Sequence, residues 1–96
     1  MKILAMEKDI PGVMVGQYNE NLENEARRVW ELYQDGVIRE LYFRQDKSDA
    51  VLILECANLD EADNVLKDLP LVKAGLITFD LIPLIPYPGF SRLFVK

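Results

Sequence analysis

The sequence predicts an α+β sandwich: one four-stranded antiparallel sheet with two helices on a single face. Three observations carry that expectation. Val37 to Arg44 and Asp49 to Ala57 are rich in β-branched and aromatic residues and flank a polar Gln45-Asp46-Lys47-Ser48, the pattern of a β-hairpin. An amphipathic helical spacing precedes that hairpin and a second one follows it. An apolar strand candidate stands near each end of the chain.

Lys2 to Met6 forms the first strand candidate and runs into Pro11-Gly12, a turn signal. Residues 13–20 read as a loop, with Gly16 and Asn19 as breakers. A helix starts near Asn21, a favoured N-cap type, with Glu23 and Glu25 in the first turn where the helix dipole favours acids. Leu22, Ala26, Val29, Trp30 and Tyr33 recur at three-and-four spacing as one apolar stripe, and Gly36 sits where a terminator belongs. After the hairpin, Asn58 or Asp60 caps a second helix whose buried face is Ala62, Leu66 and Leu69 with Leu59 or Val65. Pro70 is expected to end it, and residues 71–75 to connect it to a last strand from Leu76 to Ile82. Pro83 and Pro86 block regular pairing there, so that strand belongs at a sheet edge. The order β-α-β-β-α-β, with two crossovers and one hairpin, is the split βαβ plan of the ferredoxin-like sandwich.

The chain of 96 residues is expected to form one domain, 1–96, within which 83–96 is a tail too apolar to float free that docks on its own domain or on a partner. A formal charge of -5 argues against nucleic acid and against acidic membrane surfaces, both of which recruit basic faces. No apolar run is long enough for a membrane span or a signal core, and a cytoplasmic protein is the default expectation. One cysteine, Cys56, allows no internal disulfide, and the chain has no histidine. That removes Ser-His and Cys-His nucleophiles, a proximal haem ligand and a structural zinc site. No cofactor is expected, and any metal would have to be a hard, carboxylate-bound ion.

With Asp46-Lys47 at the hairpin tip, residues numbered to a sum of 93 face one another. One face then carries Val37, Arg39, Leu41, Phe43, Ala50, Leu52, Leu54 and Cys56, and lies under the helices. The other carries Ile38, Glu40, Tyr42, Arg44, Val51, Ile53 and Glu55, and no helix of the chain remains to cover it. Its apolar centre predicts a homodimer through that face, since symmetric dimers dominate oligomers.

Gly36-Val37-Ile38-Arg39-Glu40-Leu41-Tyr42, then Leu69-Pro70-Leu71, then an alternating strand containing Asp80, resembles muconolactone isomerase and its uncharacterised relatives. The resemblance implies the dimeric α+β barrel fold, higher homo-oligomers within reach, and a cofactor-free shift of a double bond in a small lactone acid. It assigns no catalytic residue, because the chain lacks histidine and departs from the isomerases in residues 7–20 and in the tail.

Arg39, on the otherwise apolar face, either grips a substrate carboxylate in a cleft or reaches water from the strand start. Asp80 and Glu55 lie inside hydrophobic strands, where one acid with a raised pKa could shuttle a proton; the plainer alternative is a salt bridge or solvent exposure. Trp30, Tyr33 and Tyr42 either line a pocket or are core. Cys56 reads as a small apolar residue. Two functions follow: an isomerase-like enzyme or binder of a small organic acid, or a non-catalytic homo-oligomeric interaction domain. The first requires a concave pocket containing Arg39 or the aromatic groups, and the second requires none.

Overall fold

The computed structural model describes residues 1–95. Four strands, β1 (Lys2–Asp9), β2 (Ile38–Phe43), β3 (Ala50–Glu55) and β4 (Ile77–Leu84), form one antiparallel sheet in the order β2-β3-β1-β4. Three helices, α1 (Leu22–Gln34), α2 (Leu59–Lys67) and α3 (Pro70–Lys73), complete the ferredoxin-like arrangement.

The terminators act through geometry. Gly36 ends α1 with φ +80°, a left-handed conformation that costs glycine little. Asn58 caps α2 by accepting from the Glu61 backbone N–H at 2.8 Å. Pro70 does not simply stop α2. It opens α3 at the first position, where its missing N–H would have had no helical partner. The segment 13–20 likewise holds short 3-10 turns, Val15–Gln17 and Asn19–Asn21, in place of a featureless loop. β1 runs to Asp9 and β4 to Leu84, each beyond the expected end, because the two pair along their whole lengths. Pro83 is accommodated opposite Ile3, as β4 is an edge strand with one side free of pairing.

The hairpin keeps the expected register from Glu40↔Ile53 to Phe43↔Ala50 and then breaks it. A bulge between Ile38 and Glu40 puts Ile38 opposite Leu54. Ile38 is therefore 1% exposed in the core, on the face from which strict alternation excluded it. Arg39 is the extra residue and is exposed, with Nε donating to the Gly36 carbonyl. Its expected place under the helices is corrected by that single inserted residue: burying a guanidinium among Leu52 and Leu54 costs more than bending the strand.

The core joins Ile3, Ala5, Leu52, Leu54 and Cys56 of the sheet layer to Leu32, Ala62, Leu66 and Leu69 of the helical layer. The opposite sheet face presents half-buried Leu4, Met6, Val51 and Ile53 with exposed Ile82 and Leu84. Leu4 pairs with both Ile53 and Ile82, so these side chains form one continuous apolar strip.

Candidate functional site

A cavity of about 520 Å³ opens between α1 and the helix-side face of the sheet. Its helical wall is the apolar stripe of α1. Of that stripe only Val29 is half-buried; Trp30 is 58% exposed and Tyr33 46%, with their rings 6.2 Å apart. The stripe faces open space in place of packed side chains, while Leu32 alone of α1 reaches full burial. Leu41, Phe43, Leu52, Leu69 and Phe79 supply apolar wall from the sheet and from the chain before α3. Tyr42 touches the rim, its hydroxyl donating to Glu40 Oε1 at 2.8 Å.

The charged groups in this lining are Glu7 and Glu25, and no lysine or arginine joins them among the described residues. Glu7 continues the inward row Ile3, Ala5, Glu7 of β1, which alternation aims at the helices. Its Oε1 accepts from the Ala50 N–H at 3.0 Å. Burial pushes its pKa above the ordinary carboxylate range, the Ala50 hydrogen bond opposes this, and the charges of Asp49 and Asp9 add to it. Glu25 sits three residues after Leu22 and four before Val29, so it belongs to the inward side of α1. Its Oε1 accepts from the Leu71 N–H at 2.9 Å. Burial raises its pKa as well, with that hydrogen bond pulling the other way. The site is a mostly apolar cleft holding two anchored carboxyls whose pKa values burial pushes up.

Beside Glu7, the carboxylates of Glu7, Asp9 and Asp49 approach within 4.8 Å of one another, the one group with metal-ligand spacing among the described residues. Hard oxygen donors of this kind suit calcium or magnesium. Lys47 Nζ stands 3.3 Å from Asp49 Oδ2 and supplies positive charge there. Tyr18, half-buried nearby, has its phenol pKa raised by burial and by the same acids.

The residues singled out from sequence divide into two sets. Trp30, Tyr33 and Tyr42 come together on the cavity. Arg39, Asp80 and Glu55 stand outside its lining. Asp80 pairs with Lys8 at 2.8 Å, and Glu55 with the Met1 ammonium at 2.7 Å, which also holds the Glu55 pKa below its usual value. β1 separates the two acids: Asp80 lies opposite Met6 and Glu55 opposite Lys2, so one chain does not bring them together. Cys56 is buried, and its thiol pKa is raised by burial and by the charge of Glu61. Arg39→Met should leave the thermal midpoint within about 2 °C of the parent, the range of a surface change. A loss of 5 °C or more in a calorimetric scan would contradict its exposed placement.

No protein-family model and no curated protein matches the chain. Among the solved structures that share its fold, two are similar over nearly the whole chain. One is 5-chloro-2-hydroxyhydroquinone dehydrochlorinase from Burkholderia phenoliruptrix AC1100, in complex with 2,5-dihydroxybenzoquinone. It is 21% identical over 93% of this chain and 98% of its own, with a TM-score of 0.70. The other is muconolactone isomerase, 14% identical over 93% of each chain, with a TM-score of 0.76. The α+β fold expected from the sequence is thus the fold observed, and it is the one these two proteins have.

Proposed function

We propose that the chain transfers a proton within a small, neutral, cyclic carbonyl compound held in the cavity, without a cofactor, as a homodimer. The observation that carries this reading is the pair of anchored carboxyls, Glu7 and Glu25, in an otherwise apolar cleft of about 520 Å³. A carboxyl with a raised pKa is closer in proton affinity to a carbon acid beside a carbonyl, and so exchanges protons with it at lower cost. Such a group removes a proton from one carbon of a conjugated ring and returns it to another, which shifts the double bond with no net change in atoms or electrons. The two structures of like fold act on small molecules according to their names, a chlorinated hydroxyhydroquinone and muconolactone, which supports a small-molecule substrate.

The absence of a cation from the lining argues for a neutral ring over the organic acid anticipated from Arg39. A free carboxylate entering the cleft would face two acids and find no guanidinium. The non-catalytic alternative draws support from the apolar outer strip, which needs a partner whether or not turnover occurs. We place a second copy of the chain on it.

The test is proton exchange in D2O, followed by NMR, with a panel of five- and six-membered lactones, enones and hydroxyquinones. Wild-type chain is expected to wash deuterium into at least one of them, and Trp30→Ala to weaken its binding by about 1–2 kcal/mol, roughly tenfold in Kd. Absence of any shift perturbation around Trp30, Val29 and Phe79 across the panel would end the small-molecule reading.

A further inference from the structure

We propose that Glu7, Asp9 and Asp49 bind a calcium ion beside the cavity. This goes beyond the proton-transfer reading, and its test uses no substrate.

The sheet gathers the three acids. Glu7 and Asp9 are two residues apart on β1, so both side chains leave its helix-side face. Lys8, between them, turns to the outer face and pairs with Asp80 at 2.8 Å. Asp49 immediately precedes β3 and stands next to Ala50, whose N–H donates to Glu7 Oε1 at 3.0 Å. That bond fixes the Glu7 carboxylate, and a carboxylate with one oxygen so engaged has the other to offer. One oxygen from each of the three acids lies within 4.8 Å of the other two. Two oxygens on one calcium ion, each at about 2.4 Å, stand at most about 4.8 Å apart, whereas magnesium at about 2.1 Å draws them within about 4.2 Å. Calcium also accepts the irregular angles that a strand and a turn impose, while magnesium demands a near-ideal octahedron.

Asp49 separates this cluster from an ordinary solvated acidic patch. It is only 3% exposed, and its Oδ2, shut off from water, has no hydrogen-bond donor among the described residues. A buried carboxylate oxygen left in that condition is costly, and it persists where something else supplies the partner. The nearest cation is the Lys47 ammonium, 3.3 Å away on a half-exposed side chain. One ammonium does not balance three carboxylates. A divalent ion does, and it turns their mutual repulsion into shared attraction. Asp9 is exposed, which gives the ion a way in from solvent and leaves room for waters to complete its shell. With three fixed ligands the expected Kd is about 0.1–1 mM.

Glu7 belongs to this cluster and to the cavity wall. An ion held there engages the carboxylate that the proton-transfer reading uses, so calcium should slow D2O exchange. That consequence alone rests on the earlier reading.

Calcium chloride is titrated into the chain, with ionic strength matched by sodium chloride, while the thermal midpoint and the amide NMR spectrum are followed. Calcium at about 10 mM should raise the midpoint by about 5 °C or more and move the Asp9 and Ala50 amide signals. Asp9→Asn, a change at an exposed residue outside the cavity lining, should weaken binding about tenfold without lowering the calcium-free midpoint. Lys47→Gln removes the competing ammonium and should tighten binding. Asp80→Asn takes one charge from the outer face and should leave the affinity within about twofold, which separates a built site from a net-charge effect. Three results overturn the site: no rise beyond that given by sodium chloride, equal losses in Asp9→Asn and Asp80→Asn, or magnesium binding as tightly as calcium. Binding is read without substrate, so its failure leaves the proton-transfer reading standing, and a failed D2O exchange leaves the calcium site intact.

Discussion

An Ile53→Asp chain is expected to behave in light scattering as a folded 11.0 kDa monomer at micromolar concentrations where the parent is expected to be a dimer. Ile53 stands mid-strand on the outer face, paired with Leu4 on one side and Glu40 on the other, and is only half-buried within its own chain. An aspartate there meets water in the monomer, so the fold survives and the circular dichroism spectrum stays as it was. In the dimer the same carboxylate is taken out of water. The substitution also appears twice, once in each copy, so a cost of about 2–3 kcal/mol per site compounds. Each 1.4 kcal/mol is tenfold in Kd, and the expected rise is therefore about a thousandfold or more. Apolar burial is worth roughly 25 cal/mol per Å², so a patch of several hundred Å² on each copy supplies the gross energy needed against the cost of association. A parent chain that stays monomeric, or an Ile53→Asp chain that stays dimeric, contradicts the placement of a second copy on this face.

That outer face was legible because it depends on period two and a hairpin register, and both hold from Glu40 to Phe43. Its misreading at Ile38 and Arg39 has one cause. Alternation propagates faithfully until a residue is inserted, and a bulge leaves no composition signal beyond a charge at a supposedly inward position. Arg39 was that signal. It marked a break in the strand.

The cavity was half legible. The aromatic stripe of α1 was visible at helical spacing, but spacing alone does not separate a packed face from one bordering open space. The two acids were within reach of the same patterns. Glu25 falls on the stripe, yet first-turn acids also follow from the helix dipole, and that explanation sufficed for it. Glu7 falls on the inward row of β1, but only if the strand passes Met6, and it does so because β4 pairs with it as far as Asp9. Long-range pairing set that length, and no local propensity reports it.

Glu7→Gln and Glu25→Gln are each expected to slow catalysed proton exchange by about 10²–10⁴-fold, the usual worth of a positioned acid or base. Both substitutions keep a carbonyl oxygen to accept from the Ala50 or Leu71 N–H, so the wall geometry is retained. The pH dependence gives the roles away. Exchange needs the carboxylate, and burial raises both pKa values, with Asp49 and Asp9 adding to the effect at Glu7. The rate should therefore fall with acid through a midpoint above the ordinary carboxylate value of about 4.3. Stability has the opposite sign. A carboxyl whose pKa is higher in the folded chain than in the unfolded one stabilises the fold most below its unfolded pKa, and loses that contribution as pH rises through its folded value. The glutamine variants, neutral throughout, should thus match the parent in urea midpoint near about pH 4 and exceed it at neutral pH. A functional site that holds its carboxylates at a cost to stability predicts this pairing of slower exchange with a firmer fold. Variants less stable than the parent at neutral pH would show instead that Glu7 and Glu25 are kept for structure, and would take the chemistry out of this cleft.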